Sequence, residues 1–110
     1  MIIEQIYEKV KDLRRVETRS KTEDNLELVF FAEEKDKWTQ ALEEALGEPH
    51  KPAGADPSKE HQSLTEEFGG IHTEQTLFLS RLEEGNVIGM MWPWQDQTHV
   101  TLKIFIIKEG

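Results

Sequence analysis

Ile2, Ile6, Val10, Leu13 and Val16 recur at steps of four, four, three and three, which places them on one face of a helix. Ile3 and Tyr7 widen that stripe. Residues 17–24 are polar and read as a loop. Leu26, Leu28 and Phe30 then alternate with Glu27, Val29 and Phe31, the period expected of a short strand. A second helical stripe runs through Trp38, Ala41, Leu42, Ala45 and Leu46. Glu33, Glu34 and Asp36 crowd its start, where the helix dipole favours negative charge, and Gly47 followed by Pro49 marks its end.

Residues 48–56 hold two prolines, a glycine and no large apolar side chain, so they have nothing to bury and read as a flexible linker. Asp56 and Pro57 suit the start of a thinner helix carrying His61, Leu64 and Phe68 and stopping at Gly69 and Gly70. Three β-type runs follow, over residues 75–80, 87–92 and 98–107, with a hairpin turn at 83–86 and a second connection at 93–97. Pro93 has no N–H to give a sheet ladder, so the middle run must end there or lie at an edge.

This order predicts one α+β domain over residues 1–110. It would hold a four-stranded sheet, mixed or antiparallel, built on the C-terminal three-strand meander and packed with two or three helices. The mostly helical link between the first strand and the meander permits a parallel pairing with a right-handed crossover. On the last run Val100, Leu102, Ile104 and Ile106 share a face that must be core. Phe105 and Ile107 share the other, and with Val29, Phe31 and Met91 they predict an apolar second face. Either a helix crosses over to cover that face, or Val29, Phe31, Phe105 and Ile107 form a subunit interface, since large exposed apolar patches mark contact surfaces.

Charge narrows the partners. The 22 acids and 13 bases give a net charge of −9. Residues 1–31 carry seven acids and six bases, residues 32–69 ten and four, and residues 70–110 five and three, so the excess sits in the middle third. Such a chain repels phosphate backbones, which argues against nucleic-acid binding. The basic cluster from Lys9 to Lys21 is interspersed with acids, the pattern of a solvated helix face laced with ion pairs. The absence of cysteine excludes disulfides, thiol nucleophiles and cysteine zinc sites. No apolar run has signal-peptide length, and none approaches the about 20 residues that span a bilayer, so the expected home is the cytoplasm, off the membrane.

Chemistry is sparse. Met90, Met91, Trp92 and Trp94 concentrate two of three methionines and two of three tryptophans around Pro93. Tryptophans at i and i+2 of an extended segment point to one side, so they are either core plugs at the end of the sheet or a rigid contact surface, with His99 close by. His50 and His61 are eleven residues apart and fit no metal pair on one helical face. His72 or His99 beside Glu74 or Asp96 would make a histidine–carboxylate site. No glycine-flanked nucleophile and no phosphate loop is present, and the acid pairs lack calcium-loop spacing. These features predict a non-enzymatic protein-interaction or self-associating module without metal or cofactor. The alternative is a small-molecule or peptide-binding domain with a pocket of Met90, Trp92, Trp94 and His99.

Overall fold

The structure, a computed structural model, describes residues 2–66, 69–82 and 85–107. Helix α1 (Ile2–Val10) leads into strands β1 (Glu17–Lys21) and β2 (Asn25–Phe31). A 3-10 turn (Ala32–Glu34) and helices α2 (Lys35–Leu46) and α3 (Lys59–Thr65) follow, then strands β3 (Thr76–Leu82), β4 (Gly85–Pro93) and β5 (His99–Ile107). The strands make one sheet in the order β1-β2-β5-β4-β3, with every neighbouring pair antiparallel. The chain is therefore α+β with five antiparallel strands, one more than the four expected, and β2 joins the meander without a parallel crossover.

The extra strand comes from residues read as loop. β1 is polar on both sides and almost wholly exposed, so it carries no period for a sequence to reveal. It exists because its backbone pairs with β2, beginning with the Val16 N–H to the Val29 carbonyl at 2.8 Å. The register slips at Arg19, and such bulges with charged side chains blunt a sheet edge against further pairing. α1 likewise stops at Val10 although the apolar stripe continues to Val16. Arg15 reaches back to cap the helix, its Nη2 donating to the carbonyls of Val10 (2.7 Å) and Leu13 (3.3 Å). Its guanidinium lies 5.4 Å from the Tyr7 ring and 5.5 Å from the Trp38 ring, so this arginine is half-buried structure within a cluster expected to be solvated. Val16 is left 41% exposed.

One sheet face meets α1 and α2. Leu26, Leu28 and Phe30 pair with Ile104, Leu102 and Val100, and this apolar block receives Ile6 and Val10 from α1 and Trp38 and Leu42 from α2. Trp38 stacks on Phe30 at 4.9 Å with planes 13° apart, and its indole donates to the Arg14 carbonyl at 3.3 Å. Gly89 lies under α2, where a Cβ would make ordinary contacts at 3.5 Å from Leu46 and 3.4 Å from Phe78. α2 ends at Gly47, whose φ of 89° suits glycine and whose N–H returns to the Glu43 carbonyl at 2.8 Å, as the sequence punctuation predicts.

The second face carries its own apolar cluster of Ile71, Leu77, Ile88, Met90 and Phe105, with Leu64, Leu79, Trp92 and Ile107 packed against it. The cover is α3 together with the chain on either side of it. Residues 48–56 do bury something: Lys51 is 1% exposed and forms a bridge to Leu77 on the outer edge of β3. Its ammonium donates to the carbonyls of Pro52 (3.1 Å), Thr73 (2.9 Å) and Gln75 (2.5 Å). Burial lowers its proton affinity while the nearby Glu74 and Asp56 carboxylates raise it. The cap of α3 is Ser58 instead of Asp56, which accepts from the Thr73 hydroxyl at 3.1 Å. Phe68 and the first half of the expected turn, residues 83 and 84, lie outside the described residues. Pro93 is the last residue of interior strand β4, where no further ladder bond is asked of it.

Lys51→Met preserves the stem and removes the ammonium from three carbonyls, of which Thr73 keeps the Gly54 N–H (2.8 Å) and Pro52 the Ala55 N–H (3.3 Å), while Gln75 loses the donor described for it. We expect it to destabilise the fold by about 1–3 kcal/mol, measured by urea denaturation; an unchanged midpoint would contradict the clamp.

Candidate functional site

The cover on the second face stops short of β1 and β2. There the register aligns Glu17, Val29, Thr101 and Trp92 across four strands, with Phe31 opposite His99 at the end of the sheet. Trp94, just past β4, turns back over this row: its indole donates to the Thr101 hydroxyl at 2.7 Å, and the Arg19 guanidinium lies 5.6 Å from its ring. Val29 sits between those two points in the pairing and is fully buried. The His99 ring stands between Trp94 (centroids 4.8 Å apart) and Phe31 (5.7 Å), and the Arg14 guanidinium lies 4.5 Å from the Phe31 ring. Three aromatic rings from three segments thus form a ledge with an arginine at each end. A cleft of about 360 Å³ opens beside it, lined by Phe31, Ala32, Glu33, Gln97 and Thr98.

The β4–β5 connection fixes this arrangement. The Trp94 N–H donates to the His99 carbonyl (2.9 Å) and the Gln97 N–H to the Trp94 carbonyl (3.1 Å), with Gln97 in the left-handed region at φ 60°. Asp96 Oδ1 accepts the N–H groups of Thr98 (2.9 Å) and His99 (3.1 Å), while Oδ2 meets His99 Nδ1 at 2.6 Å. The backbone N–H of Thr98 above all, then the His99 side chain, hold the Asp96 carboxyl below its usual range. The ionised carboxylate assigns the Nδ1 proton to the imidazole and makes Nε2 the acceptor of the neutral ring. The Thr98 carbonyl takes the Ala32 N–H at 2.7 Å, so the hairpin is tied to the end of β2 that bears Phe31.

Charge at the margin is paired. Arg14 meets Glu33 at 3.6 Å, Arg19 meets Glu17 at 2.8 Å and Glu27 at 3.8 Å, and Lys103 meets Glu27 at 3.6 Å. The open half of the second face is consequently polar and balanced. Val29 (fully buried) and Phe105 (5% exposed) lie inside the monomer, and Ile107 packs on the second cluster. Of the four residues expected at a subunit interface, only Phe31 contributes to the ledge. Within the patch that motivated that interface, Phe105 and Ile107 share a cluster with Ile71 and with Leu64 of α3.

Met90 and Met91 are both fully buried, so the expected pocket loses its methionine wall, and strand alternation puts Met91 toward α1 and α2 and not on the second face where it was expected. Trp92 is half-buried against the second cluster, and Trp94 and His99 belong to the ledge. Of the histidine–carboxylate pairings open to His72 and His99 with Glu74 and Asp96, Asp96 with His99 forms, at 2.6 Å. Two other pairings were not legible in the sequence. Arg14 and Arg19 reach the aromatic rings only because β1 forms, and His50 meets His61 (Nδ1 to Nε2, 2.9 Å) only because the chain folds back between them. Among the described residues no three His, Asp or Glu side chains are placed to hold a metal, and no helix is long and apolar enough to cross a membrane. Compared with known proteins, the chain matches no family model, no curated protein and no solved structure.

The hydrogen bonds at Asp96 favour its ionised form in the folded chain, so the connection should hold above the ordinary aspartate value of 3.8 and loosen as pH falls through the lower folded value. A carboxyl titration by NMR should place the Asp96 midpoint below 3.8, with the Thr98 amide shift following it. A midpoint at or above that value would contradict the geometry.

Proposed function

We propose that this chain is a protein-interaction domain without catalytic activity, working in the cytoplasm, and that it meets its partner through the ledge of Phe31, Trp94 and His99. One observation carries the reading: Phe31 and Trp94 are large aromatics that belong to neither apolar cluster, yet are held in place by a hydrogen-bonded hairpin while remaining partly exposed. Flat side chains already fixed in position lose little freedom on binding, which is why tryptophans so often dominate contact energies. The neighbouring cleft suits an apolar or aromatic side chain from the partner. A second copy of this chain is the weaker candidate, because Val29 and Phe105 are already buried within one molecule.

A short peptide is the second reading, favoured by that cleft at the end of β2. Both readings ask the rings for contact and orientation, and neither requires a cofactor. The ion pairs at Arg14 and Arg19 leave the ledge with little net charge, so association should respond weakly to salt.

Affinity capture from a native lysate with wild-type bait, Trp94→Ala and Phe31→Ala separates the cases, each variant first shown folded by circular dichroism. The wild type should retain a partner whose affinity changes by less than about threefold between 50 and 300 mM salt. Either substitution should weaken it about thirtyfold, as expected of a central aromatic contact. A partner held equally by all three proteins would refute the ledge as the contact surface.

A further inference from the structure

At the opposite margin, above the β3 edge, the hydrogen bonds around His61 run in one direction. The Ser58 N–H donates to His61 Nδ1 at 3.0 Å, so that nitrogen carries no proton. The neutral ring must then hold its proton on Nε2 and donate it to His50 Nδ1, 2.9 Å away. The Ser58 hydroxyl completes the cap by accepting the His61 N–H at 3.2 Å. This is a capping box with histidine in the place usually taken by glutamate or glutamine, so the box depends on protonation where the usual one does not.

Adding one proton to the pair breaks at least one of these bonds. On His61 it puts an N–H at Nδ1 against the Ser58 N–H. On His50 it puts one at Nδ1 against the His61 Nε2–H. The surroundings act in both directions. On α3 itself Glu60 favours the proton, but Glu60 is also paired with Arg81 of β3 at 3.2 Å. From the preceding segment His50 and the ammonium of Lys51 oppose it, and burial opposes it most.

The cap matters because α3 has only seven residues, too few to be stable without help, and it holds part of the second apolar cluster in place. Gln62 brackets Ile71, donating to its carbonyl at 2.8 Å and accepting its N–H at 3.3 Å, and Leu64 packs on the same cluster. The bonds from His50 through His61 and Ser58 to Gln62 and Ile71 therefore run into the core of the second face.

We propose that His61, held between Ser58 and His50, is an acid-sensitive latch: a proton on its ring undoes the cap of α3 and lets α3 and Ile71 lift from the second face, uncovering Ile88, Met90 and Phe105. This device is separate from the aromatic ledge and stands or falls independently of it. Its sign follows from the bonds. They favour the neutral His61 ring in the folded chain, so the cover is complete above the ordinary histidine value of 6.5 and is lost as pH falls from there through the lower folded value.

Native-state hydrogen exchange on the full chain tests this between pH 7.5 and 5, with opening constants corrected for the intrinsic exchange rate. The α3 amides and the Leu77 amide should open up to about tenfold more per pH unit below 6.5, as expected for one proton, while β2 and β5 stay protected. His61→Gln keeps an acceptor for the Ser58 N–H and has nothing to titrate, so its α3 opening should be flat with pH. Ser58→Ala should raise α3 opening about fivefold at every pH, the usual loss for an absent cap. Wild-type α3 opening that does not change with pH would overturn the latch. So would a His61→Gln chain that keeps the wild-type slope.

Discussion

Apolar side chains stand on both faces of β4 and β5, and the chain must therefore cover the same sheet twice. Val100, Leu102 and Ile104 face α1 and α2, while Ile88, Met90 and Phe105 face the other way. Each such side chain is worth about 1.5–3 kcal/mol when taken out of water, so an open second face would be a large loss for a domain of this size. Two helices on the first face leave only the connection from α2 to β3 to do the second job. That connection is largely polar, and it succeeds by placing a few residues well: Lys51 anchors it to β3, and Gln62 presses Ile71 onto the cluster.

The cover is also incomplete, and its limit decides where contact with other molecules is feasible. Toward β1 and β2 the second face changes from apolar to paired charge, and one tryptophan bonds Thr101, the β5 partner of the buried Val29. Phe31, His99 and Trp94 gather at that boundary because β2 ends, β5 begins and the hairpin turns there. Their order comes from Asp96, which aligns two backbone N–H groups and the His99 ring together. A ledge assembled from hydrogen-bonded backbone is stiffer than one carried on a free loop, and stiffness is what a contact surface of flat rings needs.

Both margins of the second face thus depend on histidine, for different reasons. His99 is oriented by a carboxylate and flanked by rings, an arrangement suited to presenting a fixed surface. His61 is oriented by a helix cap and faces another histidine, an arrangement that holds only while both rings are neutral. Lys51, next in sequence to His50, adds a cation close to the pair and to the buried bridge beneath it.

Much of the frame follows from sequence alone. The apolar periods of α1, α2, β2 and the meander are local facts, as are the stops at Gly47 and Pro93, because backbone conformation and face assignment depend on neighbours a few residues away. The tight spacing of Asp96 and His99 is local in the same sense. Tertiary structure decided what local pattern does not encode. β1 has polar residues on both sides and becomes a strand only through the backbone of β2. Arg15 ends α1 against its own apolar stripe by capping it and lying between Tyr7 and Trp38. Lys51 and the His50–His61 pair acquire their roles only when residues far apart in sequence close over the second face. Their partners are backbone carbonyls and one another's ring nitrogens, and a polar residue's spacing does not announce a partner that folding alone brings within hydrogen-bond reach.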